Sequence, residues 1–226
     1  MTLRSLLSAG ADDAVAISAP GRPALDYAAL RAHCDQIGRQ LAGQGLGPDD
    51  RVAIVLPNGP EMASAFLAVA SVISAAPLNP AYKKSEYSFY LEDLAPKLVI
   101  VEKNSTNPVC AAAEELGIPV VETNVADNAA AGLFTLFDCE ADIKAAGPDS
   151  EALVLHTSGT TSRPKVVPLL QRNIVASARN IAASLLEAGA SVSLRSTDGK
   201  TPLTLANERG SNRFLAAVGT SRRLAP

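Results

Sequence analysis

Short apolar runs that alternate with helix-patterned stretches set the narrowest limit on how this sequence can fold. Arg51-Val52-Ala53-Ile54-Val55-Leu56, Lys97-Leu98-Val99-Ile100-Val101 and Ile118-Pro119-Val120-Val121 have strand length and are rich in valine and isoleucine. After the first of these, Met62, Phe66, Val69 and Ile73 mark one face of a helix, and Val109 to Leu116 reads as a shorter one. Upstream, Tyr27, Leu30, Cys34, Ile37 and Leu41 recur at spacings of three and four, the signature of a helix with one buried face. Gly43 and Gly45 end that helix, and Pro48-Asp49-Asp50 turns the chain. Pro57-Asn58-Gly59-Pro60 breaks strand from helix, with Asn58 or Gly59 as the cap and Pro60 in the first turn. Strand, helix and strand in this rhythm predict an α/β fold, a parallel sheet with helices on its faces. The alanine-rich stretch from Asp127 to Ala146 has weak periodicity and is expected to connect one sheet to the next.

The run from Ala152 to Leu155 is a further strand, and the loop after it carries the chemistry. Of the six residues Thr157, Ser158, Gly159, Thr160, Thr161 and Ser162, five bear a hydroxyl and the sixth is glycine. Such a loop suits the terminal phosphates of a nucleotide. Gly159 permits close backbone approach, and the hydroxyls and free N–H groups donate to phosphate oxygens. Lys165, just after Arg163-Pro164, adds a mobile cation. The spacing is not that of the GxxxxGK[ST] phosphate loop. Beyond it, Val166 to Leu169 predicts a short strand, and Ile174, Ala178, Ile181 and Leu185 space out a helix.

Thr157-Ser158-Gly159-Thr160-Thr161-Ser162-Arg163-Pro164-Lys165 resembles the phosphate loop of the adenylate-forming superfamily, which includes acid–CoA ligases and peptide-synthetase adenylation domains. Ser162 and Val166 stand where most members have glycine. The version here, from His156 through Leu170 with Asn173-Ile174-Val175 and Asn180-Ile181, is most similar to the oxalate–CoA ligase branch. Arg51 to Glu61, Ala76 to Tyr82, Phe89 to Asp93 and Leu98 to Val101 extend the likeness, which covers about residues 3 to 184. The resemblance implies an enzyme that uses ATP to activate a small carboxylic acid as an acyl-adenylate and passes the acyl group to CoA. It also implies magnesium, although no metal ligand is assigned in this sequence. In that family the metal-binding acid, adenine pocket, ribose-binding aspartate and catalytic lysine lie downstream of the loop. Residues 1–184 are therefore read as an N-terminal part of the ligase fold, with phosphate binding at Thr157, Ser158, Gly159, Thr160, Thr161, Ser162 and Lys165 and no complete catalytic set.

Composition closes off other classes. The chain has 226 residues, 47 % of them hydrophobic and 19 % charged, which is a globular balance. A net charge of −3 makes no case for nucleic acid or an anionic membrane, and tryptophan is absent. No apolar run approaches the roughly 20 residues of a membrane span. Cys34, Cys110 and Cys139 fit neither a disulfide framework nor a metal site, so a reducing, cytoplasmic setting is expected. The family also has peroxisomal members, but Arg223-Leu224-Ala225-Pro226 is not a peroxisomal tripeptide. His156 either approaches the acyl site or is a satisfied structural histidine. His33 is read as structural or solvent-facing, and Lys83-Lys84 as a solvated helix start.

Past Ser184 the sequence changes character. Leu185 to Arg195 resembles the end of an ankyrin repeat, and Asp198-Gly199-Lys200-Thr201-Pro202-Leu203 to Gly210 the start of the next. Residues 185–226 thus form a partial, helical, ankyrin-like segment. That leaves two alternatives to the ligase reading: a module that binds a protein partner through 185–226, and a non-functional fusion product.

Overall fold

The computed structural model describes residues 1–157 and 164–187. It opens with helix α1 (Leu3–Leu7) and a small antiparallel pair, β1 (Val15–Ile17) with β2 (Leu25–Asp26). Next come α2 (Tyr27–Gly43), β3 (Arg51–Val55), α3 (Pro60–Ala70), β4 (Ser74–Pro77), α4 (Lys84–Leu94) and β5 (Leu98–Val101). The chain continues through α5 (Pro108–Glu115), β6 (Val120–Glu122), β7 (Glu151–Thr157), β8 (Lys165–Leu170) and α6 (Gln171–Glu187).

Local chemistry sets the boundaries. Asp26 caps α2 by accepting from the Ala29 N–H at 2.7 Å, and Gly45 takes a left-handed φ of 78° just beyond its end. Gly59 precedes α3 with Pro60 at its first position, as the sequence predicts. Lys83-Lys84 begins α4, where the Glu86 carboxylate accepts from the Lys83 N–H at 2.8 Å. Lys84 also pairs with Glu115 of α5.

Six strands share one sheet in the order β6-β5-β3-β4-β7-β8. The first five in that order run parallel, and β8 returns antiparallel to β7, so the sheet is mixed where the sequence predicts a parallel one. Alternate strand residues face opposite layers. Val52, Ile54 and Ile100 enter a core with α2 and α3, while Ala53, Val55, Val99, Val101 and Val154 face α4 and α5. The connections after β3 and β4 therefore leave toward opposite faces, the topology that in open α/β sheets favours a ligand at the carboxyl edge.

Two expectations need correction. Ser74–Pro77 is a full strand of the sheet, although no strand pattern marks it in the sequence. The helix before it stops at Ala70, so Ile73 belongs to the turn into β4 and not to a helix face. Ala75 and Ala76 are completely buried, and their small side chains let layers close on both faces without the β-branched signature of a strand. The second correction concerns 127–146, which joins β6 to β7 within the same sheet. This stretch crosses the α2–α3 face, where Phe134 is buried, Ser64 Oγ donates to the Gly132 carbonyl at 2.6 Å, and Gln40 Oε1 accepts from the Leu136 N–H at 2.9 Å.

Arg51 at the start of β3 and Glu151 at the start of β7 clasp across β4. Nε meets Oε1 at 2.8 Å, Nη2 meets Oε2 at 3.1 Å, and Nη1 reaches the Leu94 carbonyl at 3.3 Å. Burial works against the Glu151 charge, but the Arg51 guanidinium holds the carboxyl below its ordinary value. Arg51→Ala is expected to cost about 2 kcal/mol, because a half-buried carboxylate loses a two-pronged partner. Arg172→Ala, which breaks an exposed pair with Asp149, should change stability by less than about 0.5 kcal/mol. Urea unfolding of both variants checks the contrast. Since Glu151 is depressed in the folded state, its contribution is complete above the unfolded value of 4.5 and is lost as pH falls below that.

Residues 188–226, with most of the ankyrin-like segment, lie outside the described residues. Helix α6 itself runs on past Ser184 to Glu187.

Candidate functional site

Ligands in open α/β sheets bind beyond the carboxyl ends of the strands. Here β7 and β8 bring two of the sequence-predicted residues to that edge. Thr157 is the last residue of β7, Lys165 the first of β8, and the two are directly paired across the strands. Both are exposed. Among the described residues Lys165 has no ion-pair partner. Ser158, Gly159, Thr160, Thr161 and Ser162, which join this pair in sequence, lie outside the described residues.

The frame beneath the pair is tied down at its other end. Gln171 is fully buried at the start of α6, where its Nε2 donates to the Ala70 carbonyl and its Oε1 accepts from the Leu3 N–H at 2.9 Å. Asn173 accepts from the Leu170 N–H at 2.9 Å and caps the turn from β8 into α6. Sequence reasoning misses Gln171. Its only signal is a polar residue directly after an apolar strand, which is too common to select it.

His156 takes the structural role of its two readings. Its side chain is only 8 % exposed, and Nε2 lies 2.9 Å from Asp93 Oδ2 of α4. Tyr90 meets the imidazole edge-on at a centroid distance of 4.6 Å, and Tyr82 stacks on Tyr90 at 4.9 Å. His33 proves structural too, buried edge-on against Phe134 at 4.7 Å with Nε2 lacking a partner among the described residues, and burial pushes its pKa down to about 4. The three cysteines are free. Burial, reinforced by nearby Asp35, pushes the Cys34 thiol up to about 12, which rules it out as a nucleophile. Among the described residues no helix is long and apolar enough to cross a membrane.

A hydroxyl and an ammonium, side by side at the carboxyl edge, can hold an anion with several acceptor oxygens. The family model described as AMP-binding enzyme matches residues 8–198 and so continues past residue 184. An oxalate–CoA ligase of Arabidopsis thaliana is 38 % identical over 178 residues, which cover 76 % of this chain and 35 % of the relative. A sulfoacetate–CoA ligase of Cupriavidus necator is 32 % identical over 161 residues, covering 70 % and 32 % of the two chains. Among solved structures, ATP-bound MatB from Rhodopseudomonas palustris superposes with a TM-score of 0.62 at 26 % identity, over 83 % of this chain and 38 % of that one. The chain thus spans about a third of the length of these curated relatives. With a sheet, a loop position and a family model that coincide over most of its residues, this chain belongs to the AMP-binding enzyme family.

Proposed function

We propose that this chain contributes the phosphate-holding edge of an ATP-dependent acid–CoA ligase acting on a small carboxylate of the oxalate type. In that reaction a carboxylate oxygen attacks the α-phosphorus of ATP, the bond to the β-phosphate oxygen breaks, and pyrophosphate leaves. The thiol of CoA then gives up its proton as its sulfur attacks the acyl carbon, and AMP departs with the carboxylate oxygen. Thr157 and Lys165 hold the leaving pyrophosphate, the hydroxyl by donating and the ammonium by offsetting charge that grows as the bond breaks. Ser158, Gly159, Thr160, Thr161 and Ser162, outside the described residues, belong to the same phosphate-binding set on sequence grounds alone. This donor set of hydroxyls, N–H groups and an ammonium suits phosphate and not a divalent cation, so no step is assigned here to magnesium. Oxalate as the acid rests on the likeness to the Arabidopsis ligase.

The observation that carries this reading is the pairing of Thr157 with Lys165 at the carboxyl edge. Calorimetric titration of the 226-residue chain with pyrophosphate and with ATP, at low salt, tests it. Lys165→Ala should weaken binding roughly tenfold or more, the loss of one charged hydrogen bond. Lys84→Ala removes an exposed cation from the start of α4 and should leave the affinity unchanged. Equal affinities in all three proteins would remove the site.

A further inference from the structure

We propose that His156 is a positioning residue for the Thr157–Lys165 pair, tied to α4 through Asp93 and Tyr90; this rests on the phosphate reading above. Strand β7 is bridged to β4 at one position, Leu153 opposite Ala75. From Val154 to Thr157 its bridges, among the described residues, go to β8 alone. A shift of this end of β7 would carry β8 with it, and the binding pair with both. Val154 and Val166 sit in the apolar layer under α4, but such contacts are non-directional.

His156 supplies the direction. It falls two residues after Val154 and so projects to the same face, toward α4. Its partner across the strands is Val166, one step before Thr157 meets Lys165. The hydrogen bond to Asp93 and the edge-on contact with Tyr90 both depend on orientation, and both act within one residue of the pair. An ionised carboxylate can only accept, so Nε2 carries the proton and donates to Oδ2. Tyr90 is itself held by the stacked Tyr82 at the sheet's carboxyl end. Asp93 and Tyr90, the latter backed by Tyr82, therefore fix through His156 where a hydroxyl and an ammonium stand at the carboxyl edge.

The test uses the 226-residue chain with inorganic pyrophosphate as the probe, titrated calorimetrically beside thermal unfolding of each variant. His156→Ala is expected to weaken pyrophosphate binding about fivefold, the equilibrium factor of one net hydrogen bond. His156→Gln keeps a side-chain N–H for Asp93 and should return the affinity to within about twofold of the parent. Asp93→Ala removes the acceptor from the other side and should reproduce the loss, which covers the case in which His156→Ala does not fold. A role confined to stability would lower the unfolding midpoint and leave the pyrophosphate affinity of the folded protein untouched. Unchanged affinity in His156→Ala or Asp93→Ala, beside a clear loss in Lys165→Ala, would overturn the positioning role and spare the phosphate site. A parent chain that binds no pyrophosphate would overturn both.

Discussion

Tyr87→Ala is expected to cost about 4 kcal/mol of folding stability, a large share of the roughly 5–15 kcal/mol available to a domain. Tyr87 is fully buried on α4 and is among the largest side chains in the core. It lies in the layer that also holds Leu91, Val99, Val109 and Ala112, so truncation leaves a cavity walled by two helices and the sheet. Backbone elements of this kind cannot collapse to fill it. Its hydroxyl donates to the Asn79 carbonyl at 2.8 Å, and Tyr82 packs edge-on against its ring at 5.8 Å. Tyr87→Phe should therefore cost only about 1 kcal/mol, the loss of that hydrogen bond with the ring kept in place. Urea unfolding of the two variants separates the terms. A loss under about 1 kcal/mol for the alanine variant would mean that this layer is not a packed core.

A second large effect is expected on acidification, and it belongs to His33. The ring is buried on the inner face of α2 against Phe134, and burial lowers its folded value from 6.5 to about 4. Above pH 6.5 the imidazole is neutral in both folded and unfolded chains, and its contribution is complete. Between 6.5 and about 4 the unfolded chain takes up the proton first, so stability is lost as pH falls through that window. The whole loss amounts to about 3 kcal/mol, of which about 2 kcal/mol is gone by about pH 5. His33→Phe keeps an aromatic ring against Phe134 and should flatten stability between about pH 6.5 and 5. Denaturant unfolding across that range checks the slope, and an equal slope in parent and variant would contradict the assignment. The Glu151 contribution starts to fall only below about pH 4.5, so the two effects can be told apart.

Elements with strong local patterns are legible in the sequence. Arg51–Val55, Leu98–Val101 and Glu151–Thr157 are strands where valine, isoleucine and leucine cluster, and the three-and-four spacing from Tyr27 to Leu41 is helix α2. Elements defined by tertiary contact are not. Ser74–Pro77 is a strand made of serine, alanines and proline, and only its place between β3 and β7 reveals it. The stretch from Asp127 to Ala146 has almost no regular hydrogen bonding of its own and is ordered by Gln40, Ser64 and the buried Phe134. The short β1–β2 pair and α1 carry too few residues to show a period.

The candidate site divides in the same way. Thr157 and Lys165 can be picked out because a hydroxyl-rich loop that ends on a lysine is a local composition, visible without the fold. The contact between His156 and Asp93 joins residues 63 positions apart, and no spacing rule finds such a pair. Tyr90 and Asp93 stand in a segment with family likeness, yet only the packing of α4 on β7 gives them a role.

If phosphate is held where β7 ends and β8 begins, its position can be read amide by amide. NMR titration of the 226-residue chain with pyrophosphate reports where the ligand sits as well as how tightly it binds. Saturable shifts are expected at Thr157, at Lys165 and in the residues between them, absent in Lys165→Ala, with the amides of Lys83 and Lys84 unmoved. Shifts concentrated at the start of α4, or equal shifts in the parent and Lys165→Ala proteins, would contradict a phosphate site at this edge.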